Sequence, residues 1–308
     1  MEREGQVQPD QRNGHFHCIR LLSYAAVTTG LLCGAVALGQ QSKLEVLRIG
    51  TSGTLTPTSG NEKENLKSLQ SFVKDETGYP NEIIRQKGWS ELAAKMARGE
   101  LQLGVFLGYE FAWAQEKYPA LAPLALAVNI YRYPVVHIVA RRDDSAGDFA
   151  ALQGHSIAIP NSGLAEVQFF VERQTAAFGK KPQAYFSSVS TPENVEDALD
   201  DLVDGKVQSV ATDRAALDAY KQQKPGRFNR LKEVAHSQPF PSPLVAYYGT
   251  VLDEPTLQQF RRGLLNANQS DRGQTLLTLF RLTAFESVPP DFARVLVETR
   301  KAYPPPSH

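Results

Sequence analysis

Beyond residue 39 this chain has no cysteine; its two, Cys18 and Cys33, both fall earlier. Disulfides, thiolate nucleophiles and thiolate metal sites are therefore excluded from the body of the protein. Net charge is missing too, with 33 basic against 33 acidic residues. A neutral balance excludes nucleic acid or an anionic membrane surface as the main partner, so any anion is held locally. Histidine is sparse beyond the leader: of six in the chain, His15 and His17 fall before residue 39, and His137, His155, His236 and His308 stand far apart without paired metal-ligand spacing. No Gly-x-Ser-x-Gly elbow, Walker loop or dinucleotide glycine fingerprint occurs. Asp200 and Asp201 lie on an acid-rich helical segment that reads as a solvated face. No catalytic residue, metal or cofactor is expected.

Among the features present, Arg20 precedes LLSYAAVTTGLLCGAVALG (21 to 39), an apolar run with small residues at Ala35, Ala37 and Gly39. It reads as an export signal cleaved after Ala37 or Gly39, or as an anchor just long enough to span a bilayer. Leu32 directly before Cys33 argues against a lipoprotein site. The remaining length suits two lobes of ordinary size.

From Leu44 the chain alternates strands and helices. LEVLRIG (44 to 50) is a strand and TSGTLTPTSG (51 to 60) a hydroxyl-rich loop; Leu66, Leu69, Phe72 and Val73 then recur at helical spacing up to Gly78. NEIIRQ (81 to 86) is a strand, Ser90 caps ELAAKMAR, and LQLGVFLG (101 to 108) is the next strand, ending in a turn at Tyr109. The order implies crossover connections and a parallel sheet. Two more strand-like runs lie within 121 to 142. A second unit repeats the pattern: SIAIP (156 to 160), a helix over GLAEVQFFVERQTAAF, the strand QAYFSS (183 to 188), a helix capped by Thr191 with Pro192 at its first position, and the strand KVQSVAT (206 to 212). GELQLGVFLGYE (99 to 110) and GKVQSVATDRA (205 to 215) superpose on their glycines with Gln102 opposite Gln208. Three helices close the chain and pack back on the first lobe, so the chain crosses between lobes twice, near 136 to 142 and near 234 to 244.

The central stretch is IAIPNSGLAE (157 to 166). Pro160 ends a short strand, and Asn161, Ser162 and Gly163 offer capping side chains and a permissive backbone before a helix. The first amides of a helix lack partners and sit at the positive end of its dipole, so this junction suits an anionic oxygen.

With LRIG, GWSELAAKMARGELQLGVFLG, YRYPVVHIVARRDD, LQGHSIAIPNSG and DLVDGKVQSVATDRAALDAY in this order, residues 44 to 300 resemble the phosphate/phosphonate-binding periplasmic proteins of ABC transporters. The resemblance implies an α/β, two-lobed type 2 periplasmic binding fold. Each lobe would be a mostly parallel sheet flanked by helices, joined by two crossover hinge strands. Lobe 1 would comprise 44–138 and 240–308, lobe 2 139–239, with 1–39 as signal peptide or N-terminal anchor. It implies a periplasmic, exported protein that closes on a phosphate, phosphite or phosphonate and delivers it to an ABC permease and its ATPase. The oxyanion would be held at Asn161, Ser162 and Gly163, aided by Thr51, Ser52 and Thr54. Tyr109 and Glu110 would face the cleft from lobe 1, and Tyr133, with Tyr131, would close from the first crossover. Asp213 would meet the cationic end of an aminophosphonate, or would simply cap the following helix. A membrane-tethered sensor of the same fold and an enzyme of the same architecture are the alternatives.

Overall fold

A computed structural model describes residues 45–52, 62–161 and 164–306. The leader, Thr54, Ser162 and Gly163 lie outside the described residues. In chain order the elements begin with β1 (Leu47–Thr51), α1 (Glu62–Thr77), β2 (Asn81–Arg85), α2 (Trp89–Ala97), β3 (Leu103–Phe106), α3 (Gly108–Lys117) and β4 (Leu121–Val128). There follow β5 (Val136–Arg141), β6 (Ser156–Ala158), α4 (Ala165–Ala176), α5 (Pro182–Tyr185), β7 (Ser188–Ser190), α6 (Val195–Val203), β8 (Ser209–Asp213), α7 (Arg214–Gln223), α8 (Pro225–Phe228) and β9 (Leu231–His236). The chain ends with β10 (Leu244–Tyr248), α9 (Glu254–Leu265), α10 (Asp271–Leu279), β11 (Ala284–Glu286) and α11 (Phe292–Ala302).

Two sheets result, one ordered β11-β4-β10-β3-β1-β2 and the other β7-β6-β8-β5-β9. Both are mixed, where mostly parallel sheets were expected. β1 pairs in parallel with β2 and β3, and β6 with β7 and β8, but β10 runs antiparallel to β3 and β4, and β5 to β8 and β9. The cause is the crossing itself. A strand that enters from the other lobe starts at the cleft, where the parallel strands end, so it must run against them. Register shows this directly: Val136 at the start of β5 pairs with Asp213 at the end of β8, and Leu244 at the start of β10 pairs with Phe106 at the end of β3.

The chain leaves the first sheet after Val128, and β5 lies wholly in the second. Strand pairing thus changes sheets over 129–135, ahead of the expected crossing at 136–142. The crossing segments are not strands but run side by side. Phe240 N donates to Pro134 O at 2.9 Å, Ser237 N to Val136 O at 2.9 Å, and Val136 N to Ser237 Oγ at 2.9 Å.

Period-two alternation sends neighbouring strand residues to opposite layers. In the second sheet Val139 and Val210 face Leu199, Leu202 and Val203 of α6, while Ile138 and Ala211 face Phe170 and Val171 of α4. In the first, Leu47, Ile49 and Leu103 pack with Phe72, Phe260 and Leu276, whereas Phe106, Leu121 and Leu244 pack with Met96, Phe111 and Leu296. The expected return of the C-terminal helices is therefore seen: α9 and α10 cover one face of this sheet and α11 the other.

Several local expectations need correction. Gly88, not Ser90, is the residue before α2. The cap of α6 is Asn194, whose side chain accepts from Asp197 N at 2.8 Å, so neither Thr191 nor Pro192 opens that helix. The expected strand over 183–188 is the short α5 followed by β7.

Candidate functional site

A cavity of about 640 Å³ lies at the strand ends of the two sheets. Thr51, Val105 and Leu107 border it at the strand ends of the first lobe, and Asn161, Glu166, Thr191 and Asp213 border it from the second. Strand ends gather here because β1, β3, β6 and β8 all point their carboxyl ends at the cleft, the usual place for a ligand in open α/β sheets.

The helix expected to open at Asn161–Gly163 opens later. Leu164 occupies the cap position of α4 in an extended conformation without a side-chain cap, and the helix starts at Ala165. Asn161 instead forms a turn: its N–H donates to Pro192 O at 2.8 Å and its Nδ2 to Thr191 O at 3.2 Å. Its side chain is thereby engaged with the neighbouring loop rather than with helix amides.

Tyr109 and Glu110 were expected on a turn but belong to the first turn of α3. Both are buried. Tyr109 stacks on Phe169 of α4, and burial, reinforced by the charge of Glu110 and Glu166, pushes its phenol pKa upward. Ser52 is buried, with its N–H donating to Val105 O at 3.3 Å. Tyr133 turns away from the cavity: it donates to Asp291 Oδ1 at 3.0 Å, and burial followed by that hydrogen bond pushes its pKa up to about 12. Tyr131 does border the cavity, donating to Asp218 Oδ2 at 2.6 Å beneath the Arg214 guanidinium.

Asp213 ends β8 and caps α7, accepting from Ala216 N at 3.1 Å. Burial raises its pKa while the amides of Ala216 and Ala215 oppose the shift.

Glu166 was not among the expected site residues. It is the second residue of α4, only 1% exposed, and its Oε1 has no hydrogen-bond partner among the described residues. Burial pushes its pKa up to about 7, its own backbone amide opposes that, and the nearby charges of Asp213 and Glu110 add to it. Glu110, Glu166 and Asp213 thus form a buried acidic group, of which Glu166 and Asp213 border the cavity. The signal in the sequence was an acid inside the otherwise apolar LAEVQFFV. Among the described residues no cluster of His, Cys, Asp and Glu has the geometry of a metal site.

These features define a two-lobed α/β binding protein of the type 2 periplasmic class. A family model described as "ABC transporter, phosphonate, periplasmic substrate-binding protein" matches residues 54–291, and the chain belongs to that family. Its members are exported components of transporters rather than enzymes, and among the described residues no helix is long and apolar enough to cross a membrane. Solved structures share the fold at low identity. A Xanthomonas citri protein bound to ATP is 16% identical with a TM-score of 0.57, covering 84% of this chain and 97% of its own. PhnD1 from Prochlorococcus marinus in complex with methylphosphonate is 11% identical with a TM-score of 0.54, covering 83% and 97%. A binding protein component of an ABC phosphonate transporter from Pseudomonas aeruginosa is 12% identical with a TM-score of 0.50, covering 83% and 87%. No curated protein sequence matches significantly.

Proposed function

We propose that this protein captures a zwitterionic solute, with a phosphonate- or phosphate-type head and a cationic group, and hands it to an ABC permease and its ATPase. The head is held by Asn161, Ser162 and Gly163, which precede α4 in the chain, and by the hydroxyls of Thr51, Ser52 and Thr54. The cationic group faces Glu110, Glu166 and Asp213. One observation carries the reading: buried Glu166, in the first turn of a helix whose amides favour an anion, lies within electrostatic reach of two further buried carboxylates, Asp213 and Glu110. A bare dianion placed there would meet acids at close range in a medium of low dielectric. An ammonium group on the same ligand removes that conflict and supplies a partner for Glu166 Oε1, which has none among the described residues.

Calorimetry with phosphate, phosphite, methylphosphonate and 2-aminoethylphosphonate tests the proposal. The aminated ligand should bind at least tenfold tighter than methylphosphonate, and Ser162→Ala should weaken all the phosphorus ligands that bind. Equal affinity with and without the amine would remove the cationic half of the reading. Silence toward all four would remove the whole of it.

A further inference from the structure

We infer that the solute also carries an apolar chain, and that this chain lies in the first lobe between the sheet and its helices; the inference rests on the cavity being the solute site. At about 640 Å³ the cavity is far larger than a phosphonate of a few heavy atoms needs, and falls in the range that encloses drug-sized ligands. Its two ends differ in chemistry. The polar groups Thr51, Arg85, Asn161, Glu166, Thr191 and Asp213 gather at the cleft, whereas the far end runs along Ile83 and Leu103 of the first sheet. Leu69 of α1, Leu264 of α9 and Leu279 of α10 border that end from the helical layer.

Packing at the far end is incomplete. Leu69, Ile83, Phe280, Leu282 and Phe285 adjoin the buried core of this lobe yet are only partly covered. Interiors are close-packed, and a water in a cavity needs two to four polar partners; beside Arg281 the side chains named at this end are aliphatic or aromatic and offer none. An apolar space that opens into a polar, charged mouth is matched by one kind of small molecule. That molecule is a single-chain amphiphile with a zwitterionic phosphonate or phosphate head.

The test is calorimetry on the wild-type chain with 2-aminoethylphosphonate, ethylphosphonate, hexylphosphonate and decylphosphonate, each below its micelle concentration, repeated on Ile83→Trp. Burying a methylene favours binding severalfold, so affinity should rise on the order of 100-fold or more from ethyl to decyl. Ile83→Trp should abolish most of that gain and leave the shortest ligands unaffected, since Ile83 pairs with Ile49, two residues back along β1 from Thr51. Affinity independent of chain length, with the short phosphonates bound, would overturn the inference while leaving the proposed function standing. An equal gain in Ile83→Trp would place the chain elsewhere and overturn it as well. Silence of the whole series would bring down both readings. If Ile83→Trp does not fold, the wild-type series alone decides.

Discussion

Tyr109 of α3 and Phe169 of α4 stack face to face between the two lobes, with ring centroids 4.1 Å apart and planes 6° from parallel. Trp113, Phe240 and Tyr303 meet Phe169 edge-on at 5.8, 6.0 and 5.8 Å, and the Arg173 guanidinium lies 5.0 Å above its ring. The C-terminal residues tie this cluster together: Trp113 Nε1 donates to Tyr303 O at 2.8 Å, and Arg173 donates to Pro304 O. Phe169 is thus the point where lobe 2 is held against lobe 1. Phe169→Ala should cost about 2 kcal/mol of stability, since it loses stacked-pair energy as well as buried area. Small-angle scattering of the ligand-free variant should show a larger radius of gyration than wild type. An unchanged radius would mean that other contacts hold the lobes together.

Glu166 makes stability depend on pH in a defined window. Its folded pKa of about 7 lies above the ordinary 4.5, so between those values the native state binds more protons than the unfolded chain. Stability therefore falls as pH rises from 4.5 to 7, by roughly 3 kcal/mol from this one group. Glu166→Gln keeps the shape without the ionisation. Its melting temperature should match wild type at pH 4 and exceed it at pH 8. Adding 2-aminoethylphosphonate at pH 8 should narrow the gap by stabilising only the charged form. Parallel melting curves from pH 4 to 8 would show that Glu166 does not titrate in this way.

Asp213 can be read as a helix cap or as a ligand group, and two substitutions separate these roles. Asn retains an oxygen for Ala216 N, whereas Ala removes it. Loss of the cap should cost about 1 kcal/mol, so Asp213→Ala should melt lower and Asp213→Asn should not. If Asp213 also meets an ammonium, both variants should lose affinity for 2-aminoethylphosphonate and keep it for methylphosphonate. Full binding by Asp213→Asn would leave Asp213 as a cap alone.

Much of the fold could be read in the sequence because its repeated signature has a physical cause. Gln102 Oε1 accepts from Arg48 N at 2.8 Å, and Gln208 Oε1 accepts from Ser156 N at 3.0 Å. Each glutamine lies just ahead of β3 or β8 and joins that strand's entry to the neighbouring parallel strand, β1 or β6. α3 was illegible for the opposite reason. Residues Gly108 to Ala114 are all buried, so no polar face marks the helical period. The site was less legible than the fold. Asn161 and Thr191 look like caps locally, yet helix entry is set by Leu164 and Asn194, and the acids meet only because strands distant in sequence end at one cleft.

Gly108 offers a last test, of how closely the first residue of α3 abuts the second crossing segment. A Cβ built on Gly108 would stand 1.8 Å from Pro241 O and 2.4 Å from Pro241 C, both backbone atoms. No rotamer change can relieve such a clash; either α3 or the segment at 237–243 must move. Phe240 in that segment stacks on Tyr303 at 4.7 Å and packs edge-on against Tyr109 at 6.1 Å, so displacement here reaches the contact between lobes. Gly108→Ala should therefore destabilise by about 1 to 3 kcal/mol, the usual cost of overpacking, and should weaken ligand binding by altering closure. Alanine at Gly147, where an added Cβ meets nothing within 4 Å, serves as the control. Melting temperatures and calorimetry on the two variants check this: equal behaviour would show that the crossing segment yields freely and does not position α3.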